Sequence, residues 1–325
     1  MVELALHIPG IRDITFLENV EGTLDGVYSD IPLDPSQDDF IPLPPVTRLF
    51  GIVLKPLLGK NLKFNRVYFG AEFCQCLIPS LEHLTRIKKL CEKKELKFTF
   101  VTPYVTDFGI KQLVPIFSYL NSCDENIEVV VNDYGILNLI SRDYPRLLPI
   151  LGRCMNKMER DPRFAKKLPA GMIPGQLRVW QETCLTLPYY KRILGEMGVK
   201  RFEFDIVPQG IKTDFSGSGF SASLYYPWTF VTTGRVCETG SLSLEDSKKF
   251  RLDVSCAKEC REYFAYWVTP PCECNNKCET KSAKSSYIFQ VGNTIFMLCE
   301  APADVLRELF SRGFDRVVYE PGLPL

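Results

Sequence analysis

The chain has 325 residues, 46% of them apolar, enough for one large core or two ordinary ones. Thirty-nine basic side chains balance thirty-nine acidic ones, so net charge builds in no broad attraction to nucleic acid. No apolar run is long enough to span a bilayer, and the start, MVELALHIPG, lacks the basic opening of a secretory signal; the expectation is a cytoplasmic protein with reduced thiols.

In chain order, strand-like and helix-like segments alternate. The first is an apolar strand around His7. Residues 29–46, SDIPLDPSQDDFIPLPPV, are rich in proline and acid and predict a long loop. NRVYFG (65–70) predicts a strand ending at glycine. In SLEHLTRIKKLCEKKE (80–95), Leu81, Leu84, Ile87 and Cys91 recur at helical spacing behind Ser80 as N-cap. KFTFVTPY (97–104) is the next strand. FGIKQLVPIFSYL (108–120) predicts a helix that Pro115 kinks or restarts. IEVVVND (127–133) is a buried-type strand and RLLPILGR (146–153) a shorter one. Residues 156–180, charged and punctuated by proline, predict an insertion or long loop. PYYKRILGEMG (188–198) has the proline-first, glycine-last form of a helix. In KRFEFDIV (200–207), Phe202, Phe204 and Ile206 alternate with charges. SYIFQVGNTIFML (286–298) reads as a hairpin, and PADVLRELFSRGFDRVVYE (302–320) as a helix followed by a strand.

This rhythm predicts an α/β fold: a single TIM-like (β/α) barrel over residues 1–325, irregular at its N-terminus. An open doubly wound sheet is the alternative, but no glycine-rich phosphate fingerprint follows the early strands.

Six of the thirteen cysteines fall in one polar stretch, residues 237–278. A reduced compartment argues against a disulfide framework, and such density argues for metal. Cys256 and Cys260, at i and i+4, converge on one ion or cluster from a helix face or a loop. Cys237 precedes them by a polar spacer that can fold back. A closed tetrahedral zinc site or a cubane needs a fourth thiolate. Cys272, Cys274 and Cys278, in PPCECNNKC, are candidates, and so is Cys74, just beyond the strand RVYF; Cys76 is the alternative to Cys74. Spacing alone leaves zinc and iron–sulfur both open.

RVYFGAEFC before a helix, VVVNDYGILNLI, TTGRVC…CAKEC and FQVGNTIFML, in that order, resemble the collagenase-like peptidases of the U-thirty-two family, most similarly its UbiV type of iron–sulfur protein. The likeness covers about residues 66–321. It implies a [4Fe–4S] cluster on Cys74, Cys237, Cys256 and Cys260, oxygen-independent hydroxylation or a related modification of a small molecule or RNA, and pairing with a paralogous U-thirty-two protein. A non-catalytic metal-binding subunit is the second expectation and a peptidase the last, since no Ser–His–Asp set is readable. The spacer between Cys237 and Cys256 is longer than in the relatives, and PPCECNNKC is extra.

Other residues read more plainly. His7 and His83 are expected to be structural. Asp133 and Tyr134 are candidates to face the barrel mouth, with Asp133 as a helix start the ordinary reading. Arg235 is either a countercharge or anion-binding group beside Cys237 or a surface arginine. Glu72 is read as a solvated carboxylate rather than a general base. Tyr225, Tyr226, Trp228 and Phe230 are expected in the core.

Overall fold

The computed structural model describes residues 2–10, 14–19, 53–59, 63–162, 174–251, 256–269, 286–299 and 301–324. Eight parallel strands close a barrel: β1 (Glu3–Ile8), β2 (Arg66–Phe69), β3 (Lys97–Val101), β4 (Ile127–Val131), β5 (Leu147–Leu151), β6 (Arg201–Asp205), β7 (Ser221–Tyr226) and β12 (Phe314–Tyr319). Their order around the ring is β1-β12-β7-β6-β5-β4-β3-β2, and β1 pairs β2 to complete it. The expected (β/α) barrel is therefore present and the open sheet is not.

The helices among the described residues include, in chain order, α1 (Ile14–Asn19), α2 (Lys55–Leu58), α3 (Leu81–Lys93), α4 (Asp107–Asn121), α5 (Tyr134–Asp143), α6 (Pro174–Gln181), α7 (Pro188–Glu196) and α8 (Ala303–Ser311). Of these α3, α4, α5, α7 and α8 are read from the sequence; α1, α2 and α6 are not. Ser80 caps α3 by accepting the His83 N–H at 3.2 Å. Leu84, Ile87 and Cys91 bury the apolar stripe of α3, but Leu81, one turn too early to meet the barrel, stays exposed. α4 runs through Pro115 without a break; burial of Leu113, Ile116, Phe117 and Leu120 outweighs the one backbone bond that proline removes. α7 stops before Gly198 and α8 before Gly313, both in the left-handed region. Within the stretch expected to be loop, residues 174–181 are helical, while residues 163–173 and the proline-rich 29–46 lie outside the described residues.

A second sheet follows the barrel strand β7. It is antiparallel and four-stranded, in the order β8 (Trp228–Thr233), β11 (Thr294–Leu298), β10 (Ser286–Val291) and β9 (Ala265–Thr269). The β10–β11 hairpin is as expected; β9 went unread because its aromatic residues carry no clear alternation.

The barrel interior is layered. Ala5, Tyr68, Val101, Val130, Ile150, Tyr225 and Val318 form its buried middle. Alternate residues, such as Leu4, Leu6, Phe202 and Phe204, face the helices in the large outer core. In β6 the charged set Arg201, Glu203 and Asp205 thus belongs to the inside of the barrel, and the phenylalanines to its outside. Below the middle, Arg66 and Arg316 bridge Glu3 and Glu128 at 2.6–3.1 Å. Burial opposes ionisation of Glu128, but Arg316 and Arg66 overcome it and hold its carboxyl at about 2. Glu203 accepts from Tyr68 at 3.0 Å, and burial pushes its carboxyl up to about 7.

Candidate functional site

Strand ends on the C-terminal face of such a barrel usually carry its chemistry. Here that layer is filled by the protein's own charges. Arg153, just past β5, is fully buried and donates to Glu72 (3.0 Å), Asp205 (2.9 Å) and Glu320 (2.9 Å). Its guanidinium carbon sits 3.6 Å from the centre of the Tyr225 ring. Arg160 pairs with the other oxygen of Asp205 at 2.8 Å. His7 lies between Glu320 (3.0 Å) and the Gly70 carbonyl (3.0 Å). Only a donor suits that carbonyl, so Nε2 bears hydrogen and a further proton lies between Nδ1 and Glu320. Burial pushes the Glu320 carboxyl up against the pull of Arg153.

Three expectations meet this layer. Glu72 is not a solvated carboxylate; it is fully buried, because Arg153 reaches it from the far side of the mouth. His7 is structural, as read. Tyr225, Tyr226, Trp228 and Phe230 are all buried. The second sheet lids the mouth: the Trp228 carbonyl accepts from Arg153 at 3.2 Å, and the Phe230 N–H donates to Asp205 at 3.3 Å. Phe73 packs on Phe230 and Phe296 with ring centres 5.1 and 5.3 Å apart.

Beyond Phe73 opens a cavity of about 450 Å³, and five cysteines line it: Cys74, Cys76, Cys237, Cys256 and Cys260. Three segments deliver them. Cys74 and Cys76 belong to the loop after β2, where residues 75–77 make a single tight turn. Gln75 ties that turn to the start of α4, accepting from the Thr106 N–H (2.9 Å) and hydroxyl (3.0 Å). Cys237 follows β8, and the next turn aims the Gly240 N–H at its sulfur, 3.1 Å away. Cys256 and Cys260 flank a reversal at Lys258, whose backbone is left-handed and whose N–H donates to the Cys256 sulfur at 3.3 Å. A Cβ added to Gly240 would stand 3.2 Å from the Cys237 sulfur and 3.7 Å from that of Cys256. The spacing of Cys256 and Cys260 is thus used in a loop and a short turn rather than along a helix.

The thiols sense one another. Interaction with Cys76 holds the Cys74 thiol below its usual range. The Cys256 thiol is pushed up, first by its interaction with Cys76 and then by burial. Burial, reinforced by Cys237 and Cys256, pushes Cys260 up to about 11, and burial likewise raises Cys237.

Among the described residues no histidine or carboxylate lines the cavity, and its strongest metal donors there are thiols, which suit zinc or an iron–sulfur cluster better than magnesium or calcium. Among the described residues no three His, Cys, Asp or Glu side chains already form the shell of a single ion. Arg235 stands at the rim, donating to the Val105 carbonyl at 3.3 Å, its guanidinium carbon 5.8 Å from the Tyr104 ring centre. Asp133 caps α5 through the Gly135 and Ile136 N–H groups, while Tyr134 is exposed and bonds Tyr190 rather than entering the mouth. Cys272, Cys274 and Cys278 lie outside the described residues.

Arg153, Asp205, Glu320 and Arg160 were missed in the sequence. A signal existed: FEFD and VVYE each end an apolar strand on an acid, and ILGR follows one with a base.

No protein-family model and no curated protein matches the chain. A solved structure, described as that of the U32 peptidase Mk0906, aligns over 100% of this chain and 95% of its own, at 10% identity and a TM-score of 0.39. At that score the likeness carries no functional weight. Among the described residues no helix is long and apolar enough to cross a membrane.

Proposed function

We propose that the chain is an iron–sulfur protein whose cavity holds a [4Fe–4S] cluster on Cys74, Cys237, Cys256 and Cys260. One observation carries this reading: segments far apart in sequence bring five thiols and, among the described residues, no acid or imidazole to one cavity beside the barrel mouth. When bound, such a cluster supplies one-electron transfer. The Gly240 and Lys258 N–H groups would donate to ligand sulfurs, which draws charge from them and favours the reduced state. Arg235 adds positive charge at the rim. The reaction served, on the sequence resemblance, is oxygen-independent hydroxylation or a related modification of a small molecule or RNA. Zinc on the same sulfurs is the alternative occupant.

A second reading has its own support. The position where a barrel enzyme holds substrate is filled by Arg153, which favours a non-catalytic metal-binding subunit beside a paralogous partner. A peptidase is least supported, since neither His7 nor His83 lines the cavity.

Anaerobic reconstitution with metal and sulfide analysis tests the first reading. The expected result is about four irons and four sulfides per chain with broad visible absorption. Stoichiometric zinc without that absorption would overturn it. Co-purification of a stoichiometric paralogue that holds the turnover would favour the second reading.

A further inference from the structure

The β10–β11 hairpin turns over two residues, Gly292 and Asn293, and both line the thiol cavity. Gly292 is left-handed at φ +60°, which a two-residue turn asks of its first residue and glycine takes without strain. Asn293 follows at the tip. Its carboxamide nitrogen donates to the Phe73 carbonyl at 2.8 Å and to the Gly234 carbonyl at 2.6 Å. Both partners are carbonyl oxygens, so only a donor suits them, and the amide faces them one way. The Asn293 side-chain oxygen accepts instead from the Thr294 hydroxyl at 3.2 Å. The Gly234 N–H donates back to the Asn293 backbone carbonyl at 3.1 Å. The Tyr104 hydroxyl donates to the same Gly234 carbonyl at 2.6 Å. Phe73 immediately precedes Cys74, and Gly234 stands shortly before Cys237. One carboxamide thus holds the backbones of two loops that carry two of the four proposed ligands. The loops follow β2, a barrel strand, and β8, a strand of the second sheet, so strand pairing does not fix one against the other.

We propose that Asn293 is a positioning residue of the thiol site: it ties the loop of Cys74 to the loop of Cys237 and so sets the affinity for metal without ligating it. With the tie in place, the two sulfurs are held at a fixed span before metal arrives. Without it, the metal must itself order the loops, and the cost of that ordering is subtracted from binding. The effect on metal rests on the reading of the cavity as a metal site; the tie between the loops does not.

Asn293→Leu keeps the branched shape and removes the donor. Asn293→Asp sets an acceptor against two carbonyls. Tyr104→Phe is the milder variant, since it removes one of two donors to the Gly234 carbonyl and leaves the bond to Phe73. Thr102→Val is the control: it deletes a buried 2.8 Å bond to the Val130 carbonyl, between β3 and β4 and outside the cavity lining. In metal-free full chain, amide hydrogen exchange over residues 73–77 and 234–240 is expected to rise about tenfold in the Asn293 variants. Tyr104→Phe is expected to raise it less and only over 234–240, and Thr102→Val in neither loop. Zinc affinity and anaerobic iron uptake are expected to fall at least about tenfold in the Asn293 variants, and to hold in Thr102→Val even where urea unfolding shows an equal loss of stability. Alkylation of zinc-loaded variants, mapped by mass spectrometry, is expected to reach Cys74 and Cys237 before Cys256 and Cys260. Unchanged exchange in either loop would overturn the tie. Loosened loops with wild-type uptake of both metals would overturn the positioning role, as would uniform alkylation or an equal loss of uptake in Thr102→Val. If wild-type chain binds neither metal, the metal reading and the positioning role fall together, and exchange alone decides the tie.

Discussion

Glu72 and Cys74 are separated by one residue, yet they belong to opposite kinds of site. Glu72 turns into the barrel mouth, where every acid meets a guanidinium and no solvent enters. Cys74 turns outward, to a cavity it lines together with Cys76, Cys237, Cys256 and Cys260. The first site is complete without a ligand. The second gathers thiols of which three, Cys237, Cys256 and Cys260, are pushed up by burial and by neighbouring thiols, a conflict that a bound cation relieves. The strand-end position that such a barrel usually gives to its chemistry is occupied here by Arg153 with the second sheet docked on it, and the thiol cavity lies one loop layer beyond.

The largest effect that could break this comparison is removal of the central cation. Arg153→Met keeps bulk but leaves Glu72, Asp205 and Glu320 without their shared donor. Stripping one partner from a buried ion network costs about 3–5 kcal/mol. Urea unfolding is expected to show that loss, with Arg153→Lys recovering part of it. A loss under about 1 kcal/mol would mean that water, not Arg153, fills the mouth.

How the two sites escaped or yielded to sequence reading follows from the same contrast. The cysteines were legible through density: six crowd one polar stretch, and Cys74 lies in the loop just beyond a strand. The mouth was not, because its members are scattered over the whole chain; His7 and Glu320 touch across 313 positions. Alternation in FEFDIV located the strand but not its facing. An apolar-inward rule sends Glu203 and Asp205 to solvent, whereas a closed barrel has two buried sides, and only charges from other strands reveal which side is polar. Glu72 was misread for that reason. Pro115 was over-read, since the packing of α4 outweighs a single lost bond.

Next in size is a pH effect at the barrel's lower end. Glu203 has its folded carboxyl raised from the ordinary 4.5 to about 7, by burial. The folded state therefore keeps a proton that the unfolded chain releases between those values. Its contribution is fully present below pH 4.5 and is lost as pH rises to about 7, a fall on the order of 3 kcal/mol. Glu128 runs the other way: its carboxyl is held at about 2, so its contribution is present above 4.5 and lost as pH falls towards 2. Glu203→Gln keeps an acceptor for Tyr68 and is expected to flatten the stability slope between pH 4.5 and 7 while leaving the acid limb unchanged. An unchanged slope would show that Glu203 is ionised in the fold.

The smallest expected effect on folding comes from the cavity, and its smallness sharpens the contrast. Cys237→Ser and Cys256→Ser each replace a half-exposed thiol by a hydroxyl of similar shape that still accepts from the Gly240 or Lys258 N–H. No buried charge loses a partner, so metal-free stability is expected to change by about 1 kcal/mol or less. Metal uptake is expected to behave oppositely. A serine oxygen is a harder, poorer ligand than a thiolate, and the loss of one of four soft donors removes most binding to iron or zinc. Denaturation of the metal-free variants, beside metal titration of the same preparations, separates the two outcomes. Variants that unfold like Arg153→Met would make the cavity part of the structural core. Variants that fold and still take up a full complement of metal would remove Cys237 and Cys256 from the ligand set.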